Sequence, residues 1–365
     1  MGDKFCDSVC PSRKKVLILF PIMESLLNEN QIEQLRQLVS QSQHTVVCCH
    51  VNPDGDAVGS VLAIVHCLRR LGQEATAIVP TPFPDFLDWM PGADDIVVYS
   101  KQVEEAKSLI EKADLFVVAD LNDPSRLADM QESVMGNPAP KILIDHHLDP
   151  FDFCQLNVSH PELCATCEIL CHLFWQLGEM DKLTPEEATC LYAGMMCDTG
   201  GFTYASNRPV IYECISLLLS RGIDKDKIYR NVFWTSTPNR LKLMGYMLFV
   251  KMKVLRKMNT CIMTLTNEER YRFGSKNGDT EGFVNLPLQI MGMRLSIFLN
   301  EDTEHPEVVR VSLRSVDDFP CNEMAAQFFN GGGHKNASGG RLQCTMEEAV
   351  RVAQKAIQAY SALLK

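Results

Sequence analysis

The sequence has no long hydrophobic run, no fixed-period repeat and no low-complexity segment. The longest apolar stretch near its N-terminus, Val16 to Met23, contains a proline and is far too short to cross a bilayer. The segment from Met1 to Lys15 is not followed by the small-residue cleavage site of a signal peptide. We therefore expect a cytoplasmic protein without a membrane-spanning segment.

An excess of positive charge is also missing. The chain has 35 Lys and Arg against 46 Asp and Glu, a net charge of −11 at pH 7. Proteins that bind long nucleic acid stably need a broad basic face for phosphate contacts. The charge argues against long nucleic acid as a stable partner, but it allows small anionic substrates.

The cysteines do not form a dense framework. Fifteen of them in 365 residues lack the regular spacing of a small secreted scaffold. Cys164 and Cys167 have the spacing of a zinc ribbon or a redox motif, but no second pair lies at a matching distance. The alternative that we favour is a pair of cysteines on a helix that begins near Ala165.

The order of the predicted elements indicates two domains. Short apolar runs alternate with helical patterns in the first half, which predicts an α/β fold with a doubly wound, mostly parallel sheet. A smaller α+β domain follows. The predicted boundaries are an N-terminal extension at 1–26, the α/β domain at 27–223, a connecting helical segment at 224–247 and the smaller domain at 248–365.

Three predicted strands of the first domain end in residues that commonly bind metal ions. Ligands of open α/β sheets sit at the carboxyl ends of the strands. The residues that follow the three strands are His50, Asp54 and Asp56; Asp120; and Asp145, His146 and His147. Asp198 ends a later helix, where the helix dipole opposes a negative charge unless a cation lies nearby. Together they predict a divalent-metal site and therefore a hydrolase.

Each of these signals has a plainer alternative. The Asp54-Gly-Asp56 segment could form a turn with Asp56 as the N-cap of the next helix. Asp120 could cap the helix that follows it, although residues 122–125 could supply that cap themselves.

Glycines mark a second candidate site in the smaller domain. Gly331, Gly332 and Gly333 precede His334, and their backbone N–H groups could bind an anion. The same segment could instead be a flexible hairpin. Arg294 and Arg314 lie in different predicted strands, where either could bind a phosphate through two hydrogen bonds or simply be solvated.

Taken in order, these residues resemble the motifs of the DHH–DHHA1 phosphoesterase family. His50, Asp54 and Asp56 are similar to the first motif, Asp120 to the second, Asp145-His146-His147 to the signature that names the family, and Asp198 to the fourth. The segment 331–334 is similar to the DHHA1 signature. The resemblance runs from about Gln31 to Leu364 and is closest to stand-alone nanoRNases and pAp phosphatases.

The resemblance implies two Mn²⁺ ions, with Mg²⁺ or Co²⁺ as substitutes. One ion would bind His50, Asp54 and Asp120, and the other Asp56, Asp120, His146 and Asp198, so that Asp120 bridges. Asp145 would orient a neighbouring imidazole, and His147 would face the phosphate or the leaving group. Arg314, His334 and the glycines would hold phosphate from the second domain, and the site would lie in the cleft between the domains.

The implied reaction is attack on phosphorus by a water activated by both ions. Implied substrates are short oligoribonucleotides and pApA, giving 5′-mononucleotides, and pAp, giving AMP. We expect no membrane partner, and a homodimer through the DHH domain is a candidate assembly. The alternatives are a RecJ-like exonuclease, an inorganic pyrophosphatase, and a nucleotide sensor without catalysis; the last would require missing ligand residues, and none is missing.

Overall fold

The computed structural model describes residues 23–276 and 278–365 of the chain. Most of the apolar stretch 16–23 and the segment 1–15 therefore lie outside the described residues. The chain forms two compact units, of which the first ends at Val232 and the second begins at Phe233. This division falls inside the segment 224–247 that was predicted to connect the domains.

The first unit is built on a six-stranded sheet. Its strands are β1 (His44–Cys48), β2 (Glu74–Val79), β3 (Val97–Val98), β4 (Leu115–Ala119), β5 (Lys141–Asp145) and β6 (Leu156–Ser159). They lie in the order β3-β2-β1-β4-β5-β6, and all neighbouring pairs are parallel. The predicted parallel sheet is confirmed, whereas the short edge strand β6 was not predicted.

Eight α-helices accompany this sheet among the described residues. They are α1 (Glu29–Gln41), α2 (Gly55–Arg70), α3 (Val103–Lys112), α4 (Gln131–Gly136), α5 (Thr166–Gln176), α6 (Pro185–Asp198), α7 (Pro209–Leu219) and α8 (Lys225–Phe233). Alternate residues of β1 face opposite sides: Val47 belongs to a core with α2, α5 and α6, and Val46 to a second core with α3 and α4. Helices on both faces make the sheet doubly wound, as predicted.

The strand order sets where a ligand can bind. From β1 the chain moves outward to β2 and β3, and it then returns to the other side of β1 to form β4, β5 and β6. The loops after β1 and β4 therefore diverge at the carboxyl edge of the sheet. Such a switch of direction opens a crevice, which is the usual ligand site of open α/β sheets.

The described end of the predicted N-terminal extension packs on the first unit. Met23 and Leu27 are buried. The backbone N–H groups of Leu26 and Leu27 both donate to Oε1 of Gln176, each at 3.1 Å. Met23 and Leu26 of the predicted extension therefore pack on the core beside α5.

The second unit has a mixed sheet. Its strands are β7 (Lys253–Leu255), β8 (Thr260–Leu265), β9 (Leu295–Glu301), β10 (Val308–Ser315), β11 (Gly332–His334) and β12 (Ala337–Gln343). Their order is β11-β12-β10-β9-β8-β7, and the pair β8–β9 is parallel while the others are antiparallel. The helices are α9 (Pro238–Tyr246), α10 (Asn267–Phe273), α11 (Cys321–Phe328), α12 (Met346–Ala359) and α13 (Ser361–Leu364).

Among the described residues, no helix combines the length and the apolar character needed to span a bilayer.

Candidate metal centre

The loop after β1 places two aspartates differently. Asp54 is the N-cap of α2, and its Oδ1 accepts the N–H groups of Asp56 at 3.0 Å and Ala57 at 3.1 Å. The alternative in which Asp56 is the N-cap is therefore wrong. Asp56 is buried instead, and its two oxygens accept the N–H groups of Thr166 at 2.6 Å and Cys167 at 3.0 Å. Because α5 has no N-cap side chain of its own, Asp56 of α2 supplies that cap from a different helix.

Asp120 lies at the centre of the cluster. It follows β4, is buried, and has φ of 57°, a left-handed conformation that side-chain-bearing residues seldom adopt. Its Oδ2 is 3.3 Å from Nε2 of His50, and its Oδ1 is 3.6 Å from Nε2 of His146 and 3.5 Å from Nδ1 of His147. The two oxygens thus face different imidazoles, as a bridging carboxylate requires.

The helical turn after β4 has its own cap. Oδ1 of Asp123 accepts the N–H of Ser125 at 2.8 Å. Asp120 is therefore not needed as the cap, and its carboxylate can serve the cluster.

His146 faces carboxylates from three elements. Its Nε2 is 3.5 Å from Oδ2 of Asp198 and 4.0 Å from Oδ2 of Asp56, in addition to the contact with Asp120. These separations are long for hydrogen bonds. Ligand atoms about 2.1 Å from one metal ion lie about 3 Å apart at right angles and about 4 Å apart when opposed. The distances fit donors arranged around a cation.

Two sets of ligand atoms result from these positions. The atoms of His50, Asp54 and Asp120 all lie within 4.8 Å of one another, and so do those of Asp56, His146 and Asp198. A third set with the same spread, formed by Asp120, His146 and His147, overlaps both. The structure therefore brings together all six residues predicted as ligands, and their binding of metal ions remains a prediction.

The remaining contacts of the histidines orient their rings. Nδ1 of His50 lies 2.9 Å from the carbonyl oxygen of Val51, and donation to that oxygen leaves Nε2 as the ligand atom. Oδ1 of the buried Asp145 lies 2.8 Å from Nδ1 of His147. Asp145 was predicted to orient a neighbouring imidazole, and its position favours His147 as that imidazole.

The pKa values of the clustered side chains are those of a site that favours bound cations. Burial raises the pKa of Asp56 to about 7, with a further contribution from Asp120. Burial would also raise the pKa of Asp120, but the hydrogen bond from His50 and the charge of His147 lower it overall. Burial would lower the pKa of His146, yet Asp120 and Asp198 raise it to about 9. Without metal the cluster retains protons, which divalent cations would displace.

The ligand chemistry fits a hard or intermediate divalent ion. All three sets consist of carboxylate oxygens and imidazole nitrogens, and none contains a cysteine. Such donors suit Mn²⁺ or Mg²⁺ better than an ion that prefers thiolates. The arrangement therefore supports binding of a divalent metal.

Thr166 is a site residue that sequence reasoning missed. It is fully buried, and its hydroxyl donates to Oδ1 of Asp120 at 3.0 Å, while its backbone N–H donates to Asp56. The helix start near Ala165 was predicted, and α5 begins at Thr166 with Cys167 in its first turn. No pattern in the sequence shows that the start of α5 contacts Asp120, which follows β4 and lies 46 residues earlier in the chain.

In the second unit, the predicted phosphate-binding residues share one face of the sheet. Ala337 of β12 pairs directly with Arg314 of β10 on one side and with His334 of β11 on the other. Directly opposed residues of antiparallel strands project their side chains to the same face. Arg314 and His334 therefore flank Ala337. The segment predicted as a possible flexible hairpin contains the edge strand β11, which forms an antiparallel hairpin with β12.

Packing explains some of the glycines. An added Cβ would lie 1.9 Å from the carbonyl oxygen of Gly339 at Gly331, and 2.7 Å from that of Ala337 at Gly333, whose φ is also 129°. At Gly332 a Cβ would meet nothing within 4 Å. Gly332 is thus the one residue of the three for which the surrounding described residues do not require glycine.

Arg294, the other predicted phosphate ligand, precedes β9 and is half-buried. Its Nε is buried and has no acceptor among the described residues.

Comparisons with known proteins match both units. The sequence matches the DHH family, N-terminal domain, over residues 44–195 and the DHHA1 domain over residues 258–362. It is 29% identical to the bifunctional oligoribonuclease and PAP phosphatase NrnA of Thermus thermophilus, over 81% of this chain and 83% of that protein. With the protein of the same name from Bacillus subtilis it shares 24% identity over 87% of this chain and 95% of that protein.

A solved structure is more similar still. The crystal structure of an exopolyphosphatase-related protein from Bacteroides fragilis has a TM-score of 0.89 and 47% identity, and the match covers 92% of this chain and 98% of that chain. Two domain matches and a relative of this identity over nearly the whole chain establish the family. The chain belongs to the DHH–DHHA1 family of phosphoesterases and is a hydrolase.

Proposed function

We propose that this protein hydrolyses very short oligoribonucleotides, including linear dinucleotides such as pApA, to 5′-mononucleotides, and converts pAp to AMP. The observation that carries this proposal is that Asp120 belongs both to the set with His50 and Asp54 and to the set with His146 and His147, in a chain with a DHHA1 domain. The names of the similar proteins from Thermus thermophilus and Bacillus subtilis, which act on oligoribonucleotides and PAP, support the substrate class. The net charge of −11 agrees with a small substrate.

We assign the two cations, Mn²⁺ by preference, to two groups of ligand residues that have Asp120 in common. His50, Asp54 and Asp120 would hold one, and Asp56, Asp120, His146 and Asp198 the other. When bound, such a pair lowers the pKa of water and neutralises charge that develops on the phosphoryl oxygens. The protein residues fix the geometry: Thr166 and the start of α5 hold Asp120 and Asp56, and Asp145 holds His147.

His147 is the residue we assign to the phosphate or to the leaving oxygen. Its Nδ1 lies 2.8 Å from Oδ1 of the buried Asp145, which fixes the orientation of the ring. A protonated imidazole can donate a hydrogen bond to a phosphoryl oxygen or a proton to the departing alkoxide. Arg314 and His334, with Arg294 and the glycines, are proposed to bind substrate phosphate in the second unit.

The direct test compares initial rates on pAp, pApA, a pentaribonucleotide and pyrophosphate, each with Mn²⁺, Mg²⁺ or Co²⁺. We expect turnover of the first three with Mn²⁺ and little turnover of pyrophosphate. Failure to cleave any nucleotide with all three metals would refute the proposal. Preferential cleavage of pyrophosphate would favour the pyrophosphatase alternative, and saturable binding of pAp without product would favour a sensor.

Gly332 offers a clean test of the second unit. Since an added Cβ meets no described atom, Gly332→Ala should fold at least as well as the wild type, because glycine weakens strands by roughly 0.5–1 kcal/mol relative to alanine. If substrate phosphate approaches this backbone, Gly332→Ala should raise the KM for pApA about tenfold, and Gly332→Val should raise it further. Steady-state kinetics at saturating Mn²⁺ measure the effect.

The matched control is Gly245→Ala. Gly245 lies in α9 of the same unit and also has no atom within 4 Å of an added Cβ. Its replacement should leave the KM unchanged. An unchanged KM in Gly332→Val would remove this segment from the substrate site.

A further inference from the structure

Arg126 lies in the loop after β4, beside the proposed metal centre, and has no role in the function proposed above. Its backbone carbonyl accepts the N–H of Val51, the residue after His50, at 2.7 Å. Its Nη1 donates to Oδ1 of Asn122, two residues after Asp120, at 3.2 Å. The residue is therefore tied to the loops that carry His50 and Asp120.

Asn122 connects Arg126 to the third loop of the site. Its Nδ2 donates to the backbone carbonyl oxygen of Leu148 at 2.8 Å. The backbone carbonyl oxygen of Asn122 accepts the N–H of Phe151 at 2.8 Å. Leu148 directly follows His147 in the chain. The guanidinium of Arg126 is thus held by a side chain that is fixed to the segment after the DHH signature.

Among the described residues, the guanidinium of Arg126 forms no ion pair, unlike two arginines of the same unit. Arg70 and Arg208, which are similarly half-buried, each form ion pairs with glutamates. Arg126 has no carboxylate within ion-pair distance among the described residues, and its one side-chain hydrogen bond goes to the neutral Asn122.

The chemistry of this arrangement suits a phosphate. Arginine has five N–H donors in a planar fork, and the contacts among the described residues use one of them. The remaining donors can form two parallel hydrogen bonds with a phosphoryl group, a geometry that an ammonium group cannot provide. Partial burial and the anchor on Asn122 reduce the conformational freedom lost on binding.

We propose that Arg126 binds the phosphoryl group that is transferred, at a subsite of the first unit, and that Asn122 positions it. This inference rests on the proposed function, because it assumes a phosphate ester as the substrate. It adds a contact from the catalytic unit to those expected from Arg314 and His334. No covalent step involves Arg126; its contribution is binding and orientation of the phosphate.

The test compares Arg126→Gln, Arg126→Lys and Asn122→Ala with the wild type on pApA at saturating Mn²⁺. We expect kcat/KM to fall about 10- to 100-fold in Arg126→Gln, the range for loss of hydrogen bonds to a charged group. Arg126→Lys should recover only part of the loss, since it keeps the charge but not the fork. Asn122→Ala should show a smaller loss and little further effect when combined with Arg126→Gln.

Inorganic phosphate, as a competitive inhibitor, separates binding from a structural role. Its inhibition constant should rise with the KM in Arg126→Gln, while the Mn²⁺ concentration for half-maximal activity stays unchanged. Arg69→Gln is the control, because Arg69 is an exposed arginine of α2 that is already paired with Asp95. This substitution should leave all constants unchanged. An unchanged inhibition constant, or a shift in the Mn²⁺ dependence, would overturn the assignment.

If the wild type cleaves none of the nucleotides, the proposed function fails, but Arg126 can still be tested. Phosphate is then titrated into the Mn²⁺-loaded wild type and Arg126→Gln, and binding is followed by the rise in melting temperature. Tighter binding by the wild type supports the subsite, and equal binding refutes it.

Discussion

Replacement of Asp120 by Asn is expected to reduce hydrolysis of pApA and pAp by about a thousandfold or more, a loss of roughly 4 kcal/mol of transition-state stabilisation. The carboxylate has one oxygen toward His50 and the other toward His146 and His147, and it belongs to two of the three ligand sets. An amide would leave one oxygen for two proposed cations, so both would bind less well. Initial rates over a range of Mn²⁺ concentrations measure the effect.

Asn is a better probe than Ala at this position for a conformational reason. Asp120 has φ of 57°, and Asn adopts this left-handed region more readily than other side-chain-bearing residues do. Ala would add a backbone cost of about 1–2 kcal/mol to the loss of the carboxylate. Asp120→Asn should therefore separate loss of function from loss of stability.

The matched control is Asp317→Asn. Asp317 has φ of 55°, is exposed in the second unit and is not one of the residues assigned to metal. The substitution should leave activity unchanged. If Asp120→Asn folds normally and keeps more than about a tenth of the wild-type activity, Asp120 is not a bridging ligand.

Metal binding is expected to weaken steeply as the pH falls. The pKa of His146 is raised to about 9, and that of Asp56 to about 7, so both groups hold protons that a cation must displace. Apparent Mn²⁺ affinity should fall at least about tenfold per pH unit between pH 9 and 7, where the proton of His146 must leave, and more steeply below pH 7. Titration calorimetry in buffers of different ionisation enthalpy would count the protons released.

The stability of the metal-free protein should change with pH in the opposite direction. The contribution of His146 to the free energy of unfolding is complete below pH 6.5 and is lost as the pH rises through about 9. Asp56 favours the folded state when protonated, so its contribution is lost as the pH rises from 3.8 through about 7. The increase in melting temperature on adding Mn²⁺ should therefore be larger at pH 8.5 than at pH 6.

His44→Gln serves as the control for this experiment. His44 is exposed and paired with Glu74 at 3.1 Å, outside the proposed site. Its replacement should leave the pH dependence of Mn²⁺ binding unchanged, whereas His146→Gln should reduce the dependence between pH 9 and 7. A Mn²⁺-induced stabilisation that does not vary between pH 6 and 8.5 would contradict the displacement of protons from this cluster.

Local signals in the sequence predicted most of the first unit. The capping box at Thr184, with Pro185 in the first turn, marks the start of α6 as observed. The apolar run that ends at Asp120 is β4, and Gly72 has the left-handed conformation expected after α2. These features depend on residues close together in the chain, so a single sequence carries enough information to locate them.

Contacts between distant segments were not predictable in the same way. The sequence shows neither that Asp56 caps α5 nor that the Thr166 hydroxyl reaches Asp120. It also does not show that Arg126 is held by Asn122 and forms no ion pair with any carboxylate of the described residues. Each of these facts depends on which loops meet at the sheet edge and on the directions in which their side chains project.

By itself, the sequence determined which residue types follow each strand, and therefore that carboxylates and imidazoles would gather at one end of a parallel sheet. Only the tertiary structure decided how they are shared: Asp54 became a helix cap, Asp56 was buried against α5, and Asp120 took a strained position between three histidines. The physical reason is that strand and helix formation depend mainly on neighbouring residues. The separation and orientation of ligand atoms depend instead on packing between segments that are remote in the chain.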